Sequence, residues 1–123
     1  MKKLFLPCLF YLFFFIPVFI FSQKTGEFYF KNGNLKIKEK DYYGAIADFT
    51  KSIELMSPSS SNYAYAFYNR GLSKSNLKDY YGAVADYTKA IELKPDYSKA
   101  YYNRAYNKYK LGQNTCDDYK KAC

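Results

Sequence analysis

The sequence predicts an all-α chain: an α-solenoid of three helix-turn-helix units behind an N-terminal apolar segment. Three observations carry that expectation. Asp41–Leu55 reads DYYGAIADFTKSIEL and Asp79–Leu93 reads DYYGAVADYTKAIEL, with only similar residues exchanged. A second pair, AFYNRGLSK from Ala66 and AYYNRAYNK from Ala100, is offset by 34 residues, and DDYKKAC from Asp117 echoes ADYTKAI from Ala85. Within each unit the small, aromatic and charged residues fall at helical spacing. Self-similarity at a period of roughly 20–50 residues marks a stack of supersecondary units, each too small to bury its apolar face alone.

The first 22 residues stand apart. Lys2 and Lys3 open the chain, Leu4 to Phe21 contain no charge, and Ser22 precedes a polar stretch from Gln23. A basic start, an apolar run and a small residue before a polar region spell a secretory signal peptide, with cleavage after Ser22. The rival is an uncleaved anchor, because the uncharged run sits at the lower edge of what spans a bilayer. Pro7 precedes Cys8 where a lipid-attachment signal needs a small residue, so lipidation is not expected. The chain is therefore expected to be exported, to the periplasm or outside the cell, as 1–22 signal or anchor and 23–123 repeat domain.

The repeats are read as about 26–59, 64–97 and 98–123. In the first helix of the second unit, Phe67, Arg70, Gly71 and Lys74 lie at i, i+3, i+4, i+7, on one side of a helix. In its second helix, Ala83, Tyr87, Ala90 and Ile91, at i, i+4, i+7 and i+8, likewise share one side. Leu77 to Tyr80 makes the turn between them. Pro95 ends the pair, and Asp96 is placed to cap the next helix. Pro58 plays the corresponding part after the first pair, followed by a serine-rich loop. Gly33, Gly71 and Ala105 sit at matching points of the first helices, and Ala45 and Ala83 of the second, where small side chains let helices approach. Tyr29, Phe67 and Tyr101, with Phe49, Tyr87 and Tyr119, supply the matching bulk.

Composition narrows the function. There is no histidine, no glycine-rich phosphate loop, and no serine or cysteine in a nucleophile motif, so catalysis is not expected. Cys116 and Cys123 are seven apart, which separates their Cα atoms by about 10 Å along a helix and forbids a disulfide without unwinding. They are read as small apolar residues of a packed helix, with a disulfide or an intermolecular bridge as the alternative; two thiols without histidine make no metal site, and no cofactor is implied. The net charge is +8, falling to +6 once Lys2 and Lys3 leave with the signal. A basic domain suits acidic peptides, anionic lipid or nucleic acid; export makes nucleic acid the least expected of these.

The second unit, Ala64 to Tyr97, resembles a full tetratricopeptide repeat, with Phe67, Gly71, Ala83, Tyr87, Ala90 and Pro95 at that family's spacing. The first, Gly26 to Met56, is similar through Tyr29, Gly33, Ala45 and Phe49, with Ser52 for the usual alanine and Pro58 one residue late. The third is similar through Tyr101, Ala105, Tyr119 and Ala122, with an inter-helix turn about two residues shorter. The resemblance implies a right-handed superhelix whose first helices line a concave groove for a peptide or protein. It also implies an uncovered last apolar face, a place for self-association.

The groove side is expected to hold Phe30, Asn34, Tyr65, Asn69, Lys99, Tyr102, Asn103 and Tyr106, an aromatic surface edged by amides and a lysine. Several of these tyrosines could instead pack between units. The first helices carry nine bases against two acids, the second four against six, which reads as a basic groove. Some relatives grip a partner's C-terminal carboxylate with lysines and asparagines. Asn34, Asn69 and Lys99 match three of five such positions, whereas Phe30 and Asn103 stand where cations are expected. The expected function is an interaction scaffold binding a peptide; the alternatives are a structural subunit of an envelope assembly or a basic nucleic-acid-binding repeat protein. If the export reading holds, N-terminal sequencing of the mature protein returns Gln23 at or near the start; an intact Met1 in a membrane fraction overturns cleavage.

Overall fold

In the computed structural model the described residues are 21 and 24–123, and outside turns they are helical, with no strand among them. Residues 1–22, read from the sequence as a signal or anchor, lie outside the described residues but for Phe21. Among the described residues no helix is long and apolar enough to cross a membrane. The helices are α1 (24–38), α2 (Tyr42–Leu55), α3 (Tyr63–Asn76), α4 (Tyr80–Leu93), α5 (Ser98–Lys110) and α6 (Cys116–Ala122).

Local chemistry sets the turns. Asp41 and Asp79 cap α2 and α4, each accepting from a backbone N–H three residues on, at 2.9 Å. Lys40 and Lys78, just before the caps, adopt left-handed φ values of 62° and 64°. Asp96 does not cap the next helix: Tyr97 holds the N-cap position of α5 with no side-chain bond to its amides. The backbone instead closes its own turn there, Tyr97 N–H on the Lys94 carbonyl.

The third pair absorbs its missing residues in an unexpected place. The connection between its helices is longer than in the second pair, 111–115 against 77–79, and it turns through Gly112 at φ 69°. The lost residues come out of α6, which has shed its first turn. Cys116 and Cys123, placed by the sequence in a packed helix, are both exposed and free; so short a helix has only one buried side, which Asp118 takes.

Helix pairs close on small residues. A Cβ on Gly33 would lie 2.8 Å from the Phe49 ring, and one on Gly71 would lie 3.1 Å from the Tyr87 ring and 3.2 Å from Asp86 Cβ. Phe49 and Tyr87 are wholly buried, a burial worth roughly 1.5–3 kcal/mol for a side chain of this size. First helices also meet first helices: α3 touches α5, and Asn69 donates to Asn34 at 2.8 Å between α3 and α1. The second helices α2, α4 and α6 do not approach one another. A stack in contact on one side and splayed on the other is curved, so α1, α3 and α5 line its concave face.

Each second helix buries a carboxylate against its own first helix. Asp86 accepts from Arg70 through Nε at 2.9 Å and Nη2 at 2.7 Å, and from Lys74 at 2.8 Å. Asp118 accepts from Arg104 and Lys108 in the same way, and Asp48 pairs with Lys36 at 2.8 Å. The third guanidinium nitrogen reaches backwards, Arg70 to Thr50 and Arg104 to Thr88, both at 3.1 Å. One arginine thus ties its helix to its own partner and to the preceding unit.

Two predictions follow from this packing. Gly71→Leu forces the α3–α4 contact apart and costs about 1–3 kcal/mol by overpacking, seen as a lower melting temperature; an unchanged value would place Gly71 outside the contact. Burial works to raise the Asp118 carboxyl, but bonds from Arg104 and Lys108 outweigh it and hold it below its ordinary 3.8. A carboxylate lowered in the folded state stabilises above the unfolded value and loses that contribution as pH falls through the folded one. The melting-temperature gap between wild type and Asp118→Asn should be wide at neutral pH and close in acid; a gap independent of pH would remove the charge from the account.

Candidate functional site

The concave face is built from one side of α1, α3 and α5, joined by amides. Asn69 donates to Asn34 between α3 and α1, and Asn103 donates to the Tyr68 hydroxyl at 2.8 Å between α5 and α3. Burial pushes the Tyr68 phenol up, and the bond from Asn103 offsets part of that. These bonds fix the inner helices side by side, so the face is largely preformed.

At the α5 end the face opens into a cavity of about 480 Å³. Ser98, Lys99, Tyr102 and Asn103 of α5 line one wall and Tyr68 of α3 stands behind them. Tyr119, Ala122 and Cys123 form the wall on the α6 side, with the Tyr119 and Tyr102 rings edge to face at 5.9 Å. Lys99 and Tyr102 are exposed and Asn103 is half-buried, so a cation, a hydroxyl and an amide converge on an aromatic hollow. That arrangement can hold an apolar or aromatic group by contact and an anionic group by Lys99.

The eight residues read from the sequence separate into three groups. Lys99, Tyr102 and Asn103 come together in the cavity. Asn34 and Asn69 meet each other farther along the same face. The remaining three are otherwise engaged. Phe30 packs against Phe49 with ring centroids 5.9 Å apart and belongs to the first core cluster. Tyr65 lies 5.3 Å from the Tyr97 ring, under the Lys94 ammonium. Tyr106 is exposed, with the Lys110 ammonium 5.3 Å over its ring. Tyr68, Tyr119 and Ala122 complete the cavity and were not singled out for it; Tyr68 was legible, since it stands one repeat before Tyr102.

The expected basic groove is also redistributed. Lys36, Arg70, Lys74, Arg104 and Lys108, five of the nine bases on the first helices, face the second helices and neutralise Asp48, Asp86 and Asp118. Of the nine, Lys99 is the one lining the cavity. Among the described residues no cluster of histidine, cysteine or carboxylate side chains could hold a metal ion.

Residues 64–97, the central unit, match the family described as Tetratricopeptide repeat. No curated protein sequence matches the chain. Among solved structures the chain is similar to the second TPR of Spaghetti (RPAP3) bound to the HSP90 peptide SRMEEVD, with TM-score 0.77 and 26% identity over 86% of this chain and 95% of that one. It is similar to the Arabidopsis OM64 TPR domain, with TM-score 0.67 and 26% identity over 82% and 76%. It is also similar to the myosin chaperone UNC-45 from C. elegans in complex with a Hsp90 peptide, with TM-score 0.74 and 28% identity over 80% of this chain and 11% of that one. The architecture is therefore that of tetratricopeptide repeats, a fold used for protein and peptide interaction.

Proposed function

We propose that the protein is an exported interaction module that binds an extended peptide along the concave face of α1, α3 and α5, and that it is not an enzyme. The observation that carries this reading is the cavity at the α5 end of that face, between α5 and α6, where Lys99, Tyr102 and Asn103 converge. Two of the similar structures hold a Hsp90 peptide, which supports the binding mode and leaves the ligand of this chain to its own residues. The basic opening and apolar run of residues 1–22 support a partner met in the cell envelope or outside the cell.

The residues favour a peptide with acidic groups or a free carboxyl end. Lys99 supplies a cation unpaired by any of the buried aspartates, and Asn34 and Asn69, bonded to each other farther along the face, keep further amide donors and acceptors. With one lysine in the hollow, charge steers and orients while aromatic contact supplies most of the affinity. A short acidic peptide should bind, and its affinity should fall as salt rises. Lys99→Glu should weaken it by about tenfold, and Tyr102→Ala should weaken it without lowering the melting temperature. Capping the peptide C-terminus as an amide tells a carboxylate end from internal acids. Wild-type affinity in both folded variants would move the site away from this face.

A further inference from the structure

The cavity has two filled counterparts inside the molecule. Lys99, Tyr102, Tyr119 and Ala122 stand in the third unit where Tyr65, Tyr68, Tyr87 and Ala90 stand in the second, and the second set closes around the ring of Tyr97. Tyr97 lies 4.8 Å from the Tyr68 ring and 5.3 Å from the Tyr65 ring, clustered with Ala90 and Ile91. Only 9% of Tyr97 stays exposed, and Tyr87 and Ala90 are wholly buried under it. One unit earlier Tyr63, which occupies the position of Tyr97, packs on the cluster of Phe49 alongside Phe30 and Ile53. No described residue plays this part in the third unit, and its walls are open: Tyr119 is 37% and Tyr102 56% exposed.

We propose that this third socket receives the ring of a tyrosine from a bound peptide. The inference rests on the peptide-binding reading and names the anchor residue of that ligand. The internal precedent sets the shape, because a phenol ring fills the equivalent space at the α4–α5 joint. Two walls change, Cys123 standing for Ile91 and Lys99 for Tyr65, and the second sets the flank. Lys99 replaces the aromatic Tyr65, so an acidic residue beside the anchor meets a cation where Tyr97 meets a ring.

Helix α1 of a second copy is a poor occupant. In α1, Thr25 holds the position of Tyr63 and Tyr97, and Asn32 that of Arg70 and Arg104. Phe28, 59% exposed, stands where the joints hold the fully buried Ala66 and Ala100. A second copy stacked on α6 through α1 would bring no ring to the socket and would place a phenyl group where the contact leaves room for a methyl.

The test uses the full chain and two pairs of probes. In NMR titrations, N-acetyl tyrosine amide should shift Ala122 and the Tyr119 and Tyr102 rings saturably. N-acetyl alanine amide should not, and Ala122→Phe, which fills the socket from within, should abolish the response. In calorimetry, a short acidic peptide with one central tyrosine should bind about tenfold more tightly than its alanine counterpart, and that ratio should collapse in Ala122→Phe. Equal affinity for the two peptides sinks the socket and leaves the groove standing. Saturable tyrosine-amide shifts without binding of either peptide keep the socket and sink the groove. Shifts of the same resonances with protein concentration alone would make the occupant a second copy and overturn the proposal, as would a tyrosine amide without effect.

Discussion

The structure depends on the burial of one carboxylate per unit. Asp48, Asp86 and Asp118 stand at equivalent positions of the three second helices, at most 9% exposed, and each faces its own first helix, Asp48 through Lys36 and the other two through an arginine and a lysine each. A charge taken out of water and left unpaired costs several kcal/mol. The pairs are therefore less a source of stability than a condition on geometry. α3 must lie against α4 with Arg70 and Lys74 opposite Asp86, because other registers strand the acid. A second condition is nested in the first, since the same guanidinium reaches Thr50 or Thr88 of the unit before. Pairing within a unit and stacking between units are set by one side chain.

This explains why charge was the most misleading signal in the sequence. Phe67, Arg70, Gly71 and Lys74 were correctly placed on one side of a helix. That side is the one that packs against α4, so its two cations are interior and not part of the concave face. The count of nine bases on first helices was right and its meaning was different, because periodicity shows which residues share a face but not which helix that face meets. The small-against-aromatic pairs at Gly33–Phe49 and Gly71–Tyr87 were legible for the opposite reason. Those features are local or recur at a fixed offset, so the sequence prints them twice.

The third unit shows the same logic under strain. The separation between arginine and aspartate shortens from 16 residues, Arg70 to Asp86, to 14, Arg104 to Asp118. The bidentate bond survives with Nε at 2.9 Å in both, and what gives way is the opening turn of α6. Helical hydrogen bonds at an exposed end can be replaced by water, whereas a buried ion pair cannot. That trade also accounts for the exposed cysteines: the shortened helix presents its single buried side to α5 through Asp118, and Cys116 and Cys123 fall outside it.

The candidate site was legible in part, and the division follows from the same architecture. Lys99, Tyr102 and Asn103 come together because they lie on the α5 face that lines the cavity, opposite Tyr119 of α6. Phe30 and Tyr65 share that face in sequence, yet each is claimed by an interior contact, Phe30 by Phe49 and Tyr65 by Tyr97. What decides whether a face residue is available is the following unit: wherever another first helix stacks on, its leading tyrosine occupies the hollow and the surrounding rings become core. Tyr65 is core because Tyr97 follows it. Tyr102 is surface because no described residue occupies the equivalent place. The chemistry that builds the stack and the chemistry open at the cavity are therefore the same: among the described residues the cavity is a repeat joint with one of its two sides unfilled.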